Sequence, residues 1–239
     1  MRLDVHFTPL GLGPGEVNGR PVIVIDALRA TTTVITALGN GAKAVIPAAS
    51  PEDAVRLAQS LEKNDVLLAG ERKSLKIEGF NLGNSPGEMT ADVVAGRTIV
   101  LATTNGTPAL VAAAGGDPVL VCAPANFTAV ADRARALLED RGDLIVLCSG
   151  RERQFALEDA YTAGRLVKAA RKGLKKLELN DAALVAVALT LVYKNWAKAF
   201  AKSAAARQLD ELDLSADVDF AAKPDRFHVV PQYLDRRIT

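Results

Sequence analysis

The strongest constraint in this chain is a rhythm: short, nearly uninterrupted apolar runs return at intervals that leave room for one helix each. The runs are Val22 to Ile25, Ala44 to Pro47, Val66 to Ala69, Thr98 to Leu101, Val119 to Cys122 and Leu144 to Cys148. A strand that is apolar on both sides must be covered on both sides, and parallel neighbours need a helical crossover between them. The alternation therefore predicts the α/β class, as a three-layer α/β/α arrangement on a largely parallel sheet. Helix punctuation agrees. Ser50 before Pro51, with Asp53 in the first turn, opens a helix expected over Pro51 to Lys63, and Asn126 opens one over Phe127 to Asp140. Gly39, Gly41 and Gly142 read as helix stops.

The rhythm also repeats. Val22 to Ser50 and Thr98 to Asn126 share one plan about 76 positions apart, and GFNLGN (Gly79 to Asn84) then echoes QFALED (Gln154 to Asp159). A single domain over 1–239 is expected, with two similar β-α-β-α-β halves at about 20–96 and 97–175 and a helical segment over 176–239. Chance likeness between α/β units stands as the alternative to duplication. In the last segment one helical stretch, broken once, is expected from Asn180 through Leu209, with Lys194, Lys198 and Lys202 along a solvated face. The alternation at Asp217, Asp219 and Phe220 suggests a short edge strand, and FHVVPQYL a terminal one.

Composition narrows the partners. The net charge of +1 over 239 residues lacks the positive field that nucleic-acid binding draws on, so no nucleic acid is expected. Ala182 to Tyr193, the longest apolar run, falls well short of the roughly 20 residues of a membrane helix, so no membrane partner is expected. The two cysteines, Cys122 and Cys148, each end an apolar run, which fits reduced thiols and a cytoplasmic protein. A homo-oligomer is left open.

Chemistry concentrates where strands end. DALRATTT (Asp26 to Thr33) places a carboxylate after one run, with Arg29 and the hydroxyls of Thr31 and Thr32 opening the next helix. Such a turn offers amides, a helix dipole and a guanidinium to an anion, with Asp26 available to Mg²⁺. An Asp26–Arg29 salt bridge with threonine caps would read the same. TTNGT (Thr103 to Thr107) occupies the equivalent place in the second segment, with Thr104, Asn105 and Gly106 as anion-binding candidates. GER adds Glu71 and Arg72, and GFNLGNSP adds Asn84 and Ser85, which are ligands or simply helix caps. CSGRERQFALED holds Cys148, Arg151, Arg153, Glu158 and Asp159. The two acids suit metal ligation or acid/base work, or merely the start of a helix.

A thiol phosphatase needs an arginine six positions after its cysteine, and that position holds Gln154. Cys148 therefore reads as a pocket-lining thiol rather than a nucleophile. His6 and His228 have no ligand-spaced partner, and neither GxGxxG nor GxxxxGK[ST] follows a run.

Taken in order, VIDALRATTT, GER, GFNLGNSP, TTNGT and CSGRERQFALED, with LNDAALVA and DRFHVVP beyond them, resemble the 2-phosphosulfolactate phosphatase family over nearly the whole chain. The resemblance implies a Mg²⁺-dependent phosphatase that converts 2-phospho-3-sulfolactate and water to 3-sulfolactate and phosphate, a step of coenzyme M biosynthesis. On that reading Asp26, Arg29, Glu71 and Arg72 are catalytic, and Asp26, Glu158 and Asp159 hold the metal. Thr31, Thr32, Asn84, Ser85, Thr104, Asn105, Gly106 and Cys148 bind a small phosphorylated acid, with Arg29, Arg72, Arg151 and Arg153 answering its several negative charges. The family's GFDLGNSP has an aspartate where this chain has Asn81, one negative charge fewer beside the expected site. Three readings stand beside this one: a phosphatase for a related phosphorylated carboxylate, a non-catalytic binding module for a phosphorylated acid, and a metal-free hydrolase using Cys148.

Overall fold

The computed structural model describes residues 1–61 and 65–239. Its strands are β1 (Arg2–His6), β2 (Val22–Ile25), β3 (Ala44–Ala48), β4 (Val66–Arg72), β5 (Leu75–Lys76), β6 (Thr98–Ala102), β7 (Val119–Cys122), β8 (Asp143–Cys148), β9 (Glu178–Leu179), β10 (Tyr233–Leu234) and β11 (Arg237–Ile238). The helices are α1 (Ala30–Gly39), α2 (Pro51–Gln59), α3 (Ala91–Val94), α4 (Gly106–Ala112), α5 (Phe127–Arg141), α6 (Leu157–Ala170), α7 (Asp181–Val192), α8 (Trp196–Phe200), α9 (Ala204–Glu211) and α10 (Ser215–Ala221). The class is α/β, and every apolar run of the rhythm is a strand.

The strands are shared between two sheets. One runs β7-β2-β8-β1-β9, and its pairs are all parallel. The other runs β10-β11-β3-β6-β4-β5, parallel through β3-β6-β4 and closed by antiparallel hairpins at both edges. The two repeating segments interleave: β2 lies between β7 and β8, and β6 lies between β3 and β4. Helices α1 and α4 form a layer common to both sheets, through Val34, Ile35, Ala109 and Leu110 in one core with Val24, Val45, Ile99 and Val121. Helices α5, α6 and α7 cover the other face of the first sheet, and α2 that of the second.

Local chemistry explains the boundaries. Ser50 Oγ accepts from the Asp53 N–H and caps α2, which closes at Gln59. Lys63, where its end was expected, lies outside the described residues. Gly142 ends α5 in the left-handed conformation, at φ 69°. Asn126 does not cap α5 through its side chain: its Oδ1 accepts from Ala123 N–H and its Nδ2 donates to the Val121 and Val229 carbonyls. Strand β1, absent from the sequence reading, sits inside the first sheet with Leu3 and Val5 buried, while Asp4 accepts from Arg20 at 3.0 Å.

The C-terminal segment departs from expectation. Its helical stretch is broken twice, because Asn195 caps α8 and Ser203 caps α9, as Asn180 caps α7. Lys194 and Lys202 fall outside α8, so they share no single helix face with Lys198. Asp217, Asp219 and Phe220 lie in α10 rather than an edge strand. Only Tyr233 and Leu234 of FHVVPQYL are extended in a ladder. Among the described residues no helix is long and apolar enough to cross a membrane.

Candidate active site

Two strand ends meet here. The chain leaves β2 through Asp26 to Arg29 into α1, and leaves β6 through Thr103 to Asn105 into α4. A Cβ on Gly106 would lie 2.4 Å from the Ala30 Cβ and 2.7 Å from Asp26 Oδ2, so glycine is what lets α4 start this close to the carboxylate. Beside that contact opens a cavity lined by Asp26, Arg29, Glu71, Asn84, Thr104, Asn105 and Glu158. Arg151, Lys73, Ser74, Glu152 and Gln208 complete its polar wall.

Asp26 is only 6% exposed and accepts from Ala30 N–H through Oδ1 at 3.2 Å. Burial, then repulsion from Glu158 and Glu71, pushes its carboxyl up to about 7. Burial also raises Glu158, against the pull of the Ser203 hydroxyl and Arg151. Glu71 is committed: Oε2 accepts from Ser74 N–H and Oε1 from Thr104 N–H, each at 2.7 Å. It fastens the β4 hairpin to the TTNGT turn. Among the described residues' buried side-chain polar atoms, only Asn84 Oδ1 has no hydrogen-bond partner.

The cations are aimed by two-residue turns. Lys73 and Ser74 (φ 51° and 68°) join β4 to β5, and Glu152 and Arg153 (φ 51° and 65°) form the tip between Arg151 and Gln154, whose backbones bond reciprocally. Arg151 thereby faces the cavity and donates to Gln208 Oε1 at 2.6 Å, while Arg153 is exposed outside it. Arg29 is 5% exposed and pairs with Asp217 Oδ2 at 2.6 Å, not with Asp26, and donates to the Ser74 carbonyl at 2.7 Å. Its remaining N–H groups are available to a ligand.

Several expected site residues stand elsewhere. Arg72 is exposed on the opposite side of β4 from Glu71, since successive strand residues alternate faces. Thr31 and Thr32 are buried, their hydroxyls bonded to the carbonyls of Asp26 and Ala27. Ala30 N–H and Thr31 N–H are likewise spent on Asp26, so this end of α1 keeps those amides from an anion. Ser85 donates to Asp217 Oδ1 at 2.5 Å and accepts from Gly87 N–H. Asp159 lies behind the cavity rather than on its wall, with Oδ1 accepting from Ala27 N–H and Oδ2 from Ser149 Oγ and Gly150 N–H.

Cys148 is buried in the core rather than lining the cavity, and burial with the nearby Asp159 and Glu158 holds its thiol protonated. Its place off the cavity wall and its raised thiol both speak against a ligand or nucleophile role. Asn81 is exposed away from the cavity, its Oδ1 accepting from Leu68 N–H at 2.8 Å. An aspartate there would make the same bond, so the departure at Asn81 leaves the site's charge untouched.

The residues missed from sequence are Lys73, Ser74, Glu152, Gln208 and Asp217. The two turns contain no Asn or Gly to announce positive φ. Gln208 and Asp217 come from the C-terminal helices and carry no local signal.

The sequence profile of the 2-phosphosulpholactate phosphatase family matches residues 7–236. A protein of Clostridium acetobutylicum named probable 2-phosphosulfolactate phosphatase is 36% identical over 241 residues, covering 100% of both chains. Proteins of the same name from Caldanaerobacter subterraneus subsp. tengcongensis and Symbiobacterium thermophilum are 37% and 38% identical, over 97% and 93% of this chain and 95% of each relative. With the profile spanning almost the full length and these relatives matching end to end, the chain belongs to the 2-phosphosulfolactate phosphatase family.

Proposed function

We propose that this chain is a Mg²⁺-dependent phosphoric monoester hydrolase acting on 2-phospho-3-sulfolactate, the step of coenzyme M biosynthesis that yields 3-sulfolactate and phosphate. The observation that carries the metal is a mismatch of charge and partners. Two carboxylates, Asp26 and Glu158, are buried at the cavity with their charged forms disfavoured, and the same cavity is lined by Asn84, whose Oδ1 is a buried acceptor with no hydrogen-bond partner. Oxygen donors without a cation are what Mg²⁺ satisfies, and it is commonly held by one or two carboxylates plus waters and substrate phosphate. Among the described residues no group of three or more His, Cys, Asp or Glu side chains forms a closed cage. The fit is therefore to a metal completed by its substrate, with Asp26, Glu158 and Asn84 as the protein's share.

When bound, Mg²⁺ supplies a Lewis acid that withdraws charge from the phosphoryl oxygens. Arg29, fixed by Asp217 and the Ser74 carbonyl, presents its free N–H groups to the substrate's anionic oxygens at little entropic cost. Arg151 and Lys73 stand on the wall to balance its other negative groups. Asn105 receives Glu152 N–H on Oδ1 at 3.0 Å and so joins the two loops that frame the entrance. Hydrolysis breaks the ester P–O bond, joins the water oxygen to phosphorus and returns a proton to the sulfolactate hydroxyl.

The test is phosphate release from 2-phospho-3-sulfolactate, with phosphorylated carboxylates lacking the sulfonate as comparators. Turnover with Mg²⁺ and none in excess EDTA is expected, recovered when Mg²⁺ is restored. Full turnover in chelator removes the metal, and preference for a substrate without sulfonate removes the substrate assignment.

A further inference from the structure

Helix α7 buries one face and leaves the other bare. Ala183 and Ala186 turn inward against α6, so closely that a Cβ on Gly164 would meet the Ala186 carbonyl oxygen at 1.9 Å. The outward face carries Leu184, Val185, Ala188, Leu191 and Val192, all exposed, with Leu191 at 77% and Val192 at 68%. From Ala182 to Tyr193 the helix carries no charge. Its four large outward side chains, each at least half exposed, lie together on one helix face, and the largest apolar patch of a soluble protein, roughly 300–600 Å², is often functional.

The order of these residues identifies what covers them. Counted from Ala188, the exposed large residues stand at −4, −3, +3 and +4, so the spacing of the stripe is the same in either direction, with leucine and valine exchanged. A two-fold axis through Ala188 would lay a second α7 antiparallel on the first, with Leu184 facing Val192, Val185 facing Leu191 and the small Ala188 at the crossing. That is the self-matching surface a two-fold interface requires. The ends match as well: Asp181 at the start of one helix comes to the end of the other, where Lys194 follows α7, and the helix dipoles oppose favourably. We propose that the chain forms a two-fold dimer through α7, with this stripe as the interface core. The stripe supplies part of the roughly 800 Å² per partner of a standard interface, and flanking polar residues supply the rim.

Sedimentation velocity of the full chain from low micromolar concentration upward tests this. A dimer is expected, and Leu191→Glu should raise its dissociation constant at least about a hundredfold, since the axis repeats the buried charge on both sides. Ala188→Cys keeps the apolar stripe and should be linked into covalent dimers by a short bis-maleimide, whereas Val55→Cys on α2 should not. A monomer at high micromolar concentration, a dimer indifferent to Leu191→Glu, or Cys introduced at 188 that does not cross-link overturns the proposal. If the monomer then binds neutral phosphatidylcholine vesicles through this face, the face is a lipid contact instead.

Discussion

Asp26→Asn should make the metal-free protein more stable while it abolishes turnover. In the chelated chain Asp26 is buried against Glu158 and Glu71, and its carboxyl rises from the ordinary 3.8 to about 7. A folded-state pKa above the unfolded value means that the native protein holds the proton more tightly. Stability is therefore highest below about pH 4, falls as pH rises and is fully diminished above about pH 7. The difference corresponds to about 4 kcal/mol, an upper value because Glu158 and Asp159 share the same repulsion. Asparagine keeps an oxygen for Ala30 N–H and removes the charge. Urea unfolding in EDTA should show the variant more stable by about 2–4 kcal/mol at pH 8, by about 1–2 kcal/mol at pH 5, and within about 0.5 kcal/mol of the parent near pH 4. Added Mg²⁺ at pH 8 should stabilise the parent and leave the variant nearly unchanged. A variant less stable than the parent at pH 8 in chelator, or a gap that does not depend on pH, would refute the reasoning.

Three other substitutions probe separate parts of the site. Cys148→Ser should keep turnover within about tenfold and cost about 1 kcal/mol in unfolding experiments, because the thiol is a core group; a loss beyond about 10⁴-fold with the fold intact would restore a nucleophilic role. Gly106→Ala should lower kcat by about 100-fold or more, because its Cβ displaces the Asp26 carboxylate; unchanged kcat would show that the contact relaxes freely. Asp217→Ala should destabilise by about 3–5 kcal/mol in urea unfolding and raise KM, since it strands the buried Arg29 guanidinium; Asp217→Asn, which keeps an acceptor, should recover part of both, and equal losses in the two variants would contradict this.

The apolar rhythm was enough to set the class, most of the sheets and the part of the cavity wall borne on strand ends. Apolar runs such as VIVI and TIVL are too short and too uniformly apolar for anything but covered strands, and residues that follow them fall at the carboxyl ends of a parallel sheet. Asp26, Arg29, Glu71, Thr104 and Asn105 are on the cavity wall for that reason, while Asn84 reaches it from the loop after β5 and Glu158 from α6. β1 was hidden because only Leu3 and Val5 supply its apolar burial and the residue between them, Asp4, is buried as a charge paired in part with Arg20, a partner more distant in sequence.

Which of two neighbouring residues faces inward was not legible in the local pattern. Glu71 and Arg72 are adjacent in sequence, yet strand alternation sends one to the cavity and the other to solvent. Glu158 and Asp159 are adjacent too, and three hydrogen bonds from Ala27, Ser149 and Gly150 tie up the second. Asp217 read from the sequence as part of a short edge strand, whereas the C-terminal helices return it to Arg29 across the fold. Local pattern reports burial, which depends on nearby residues; partnership between charges depends on long-range packing, and that is settled when the chain closes on itself.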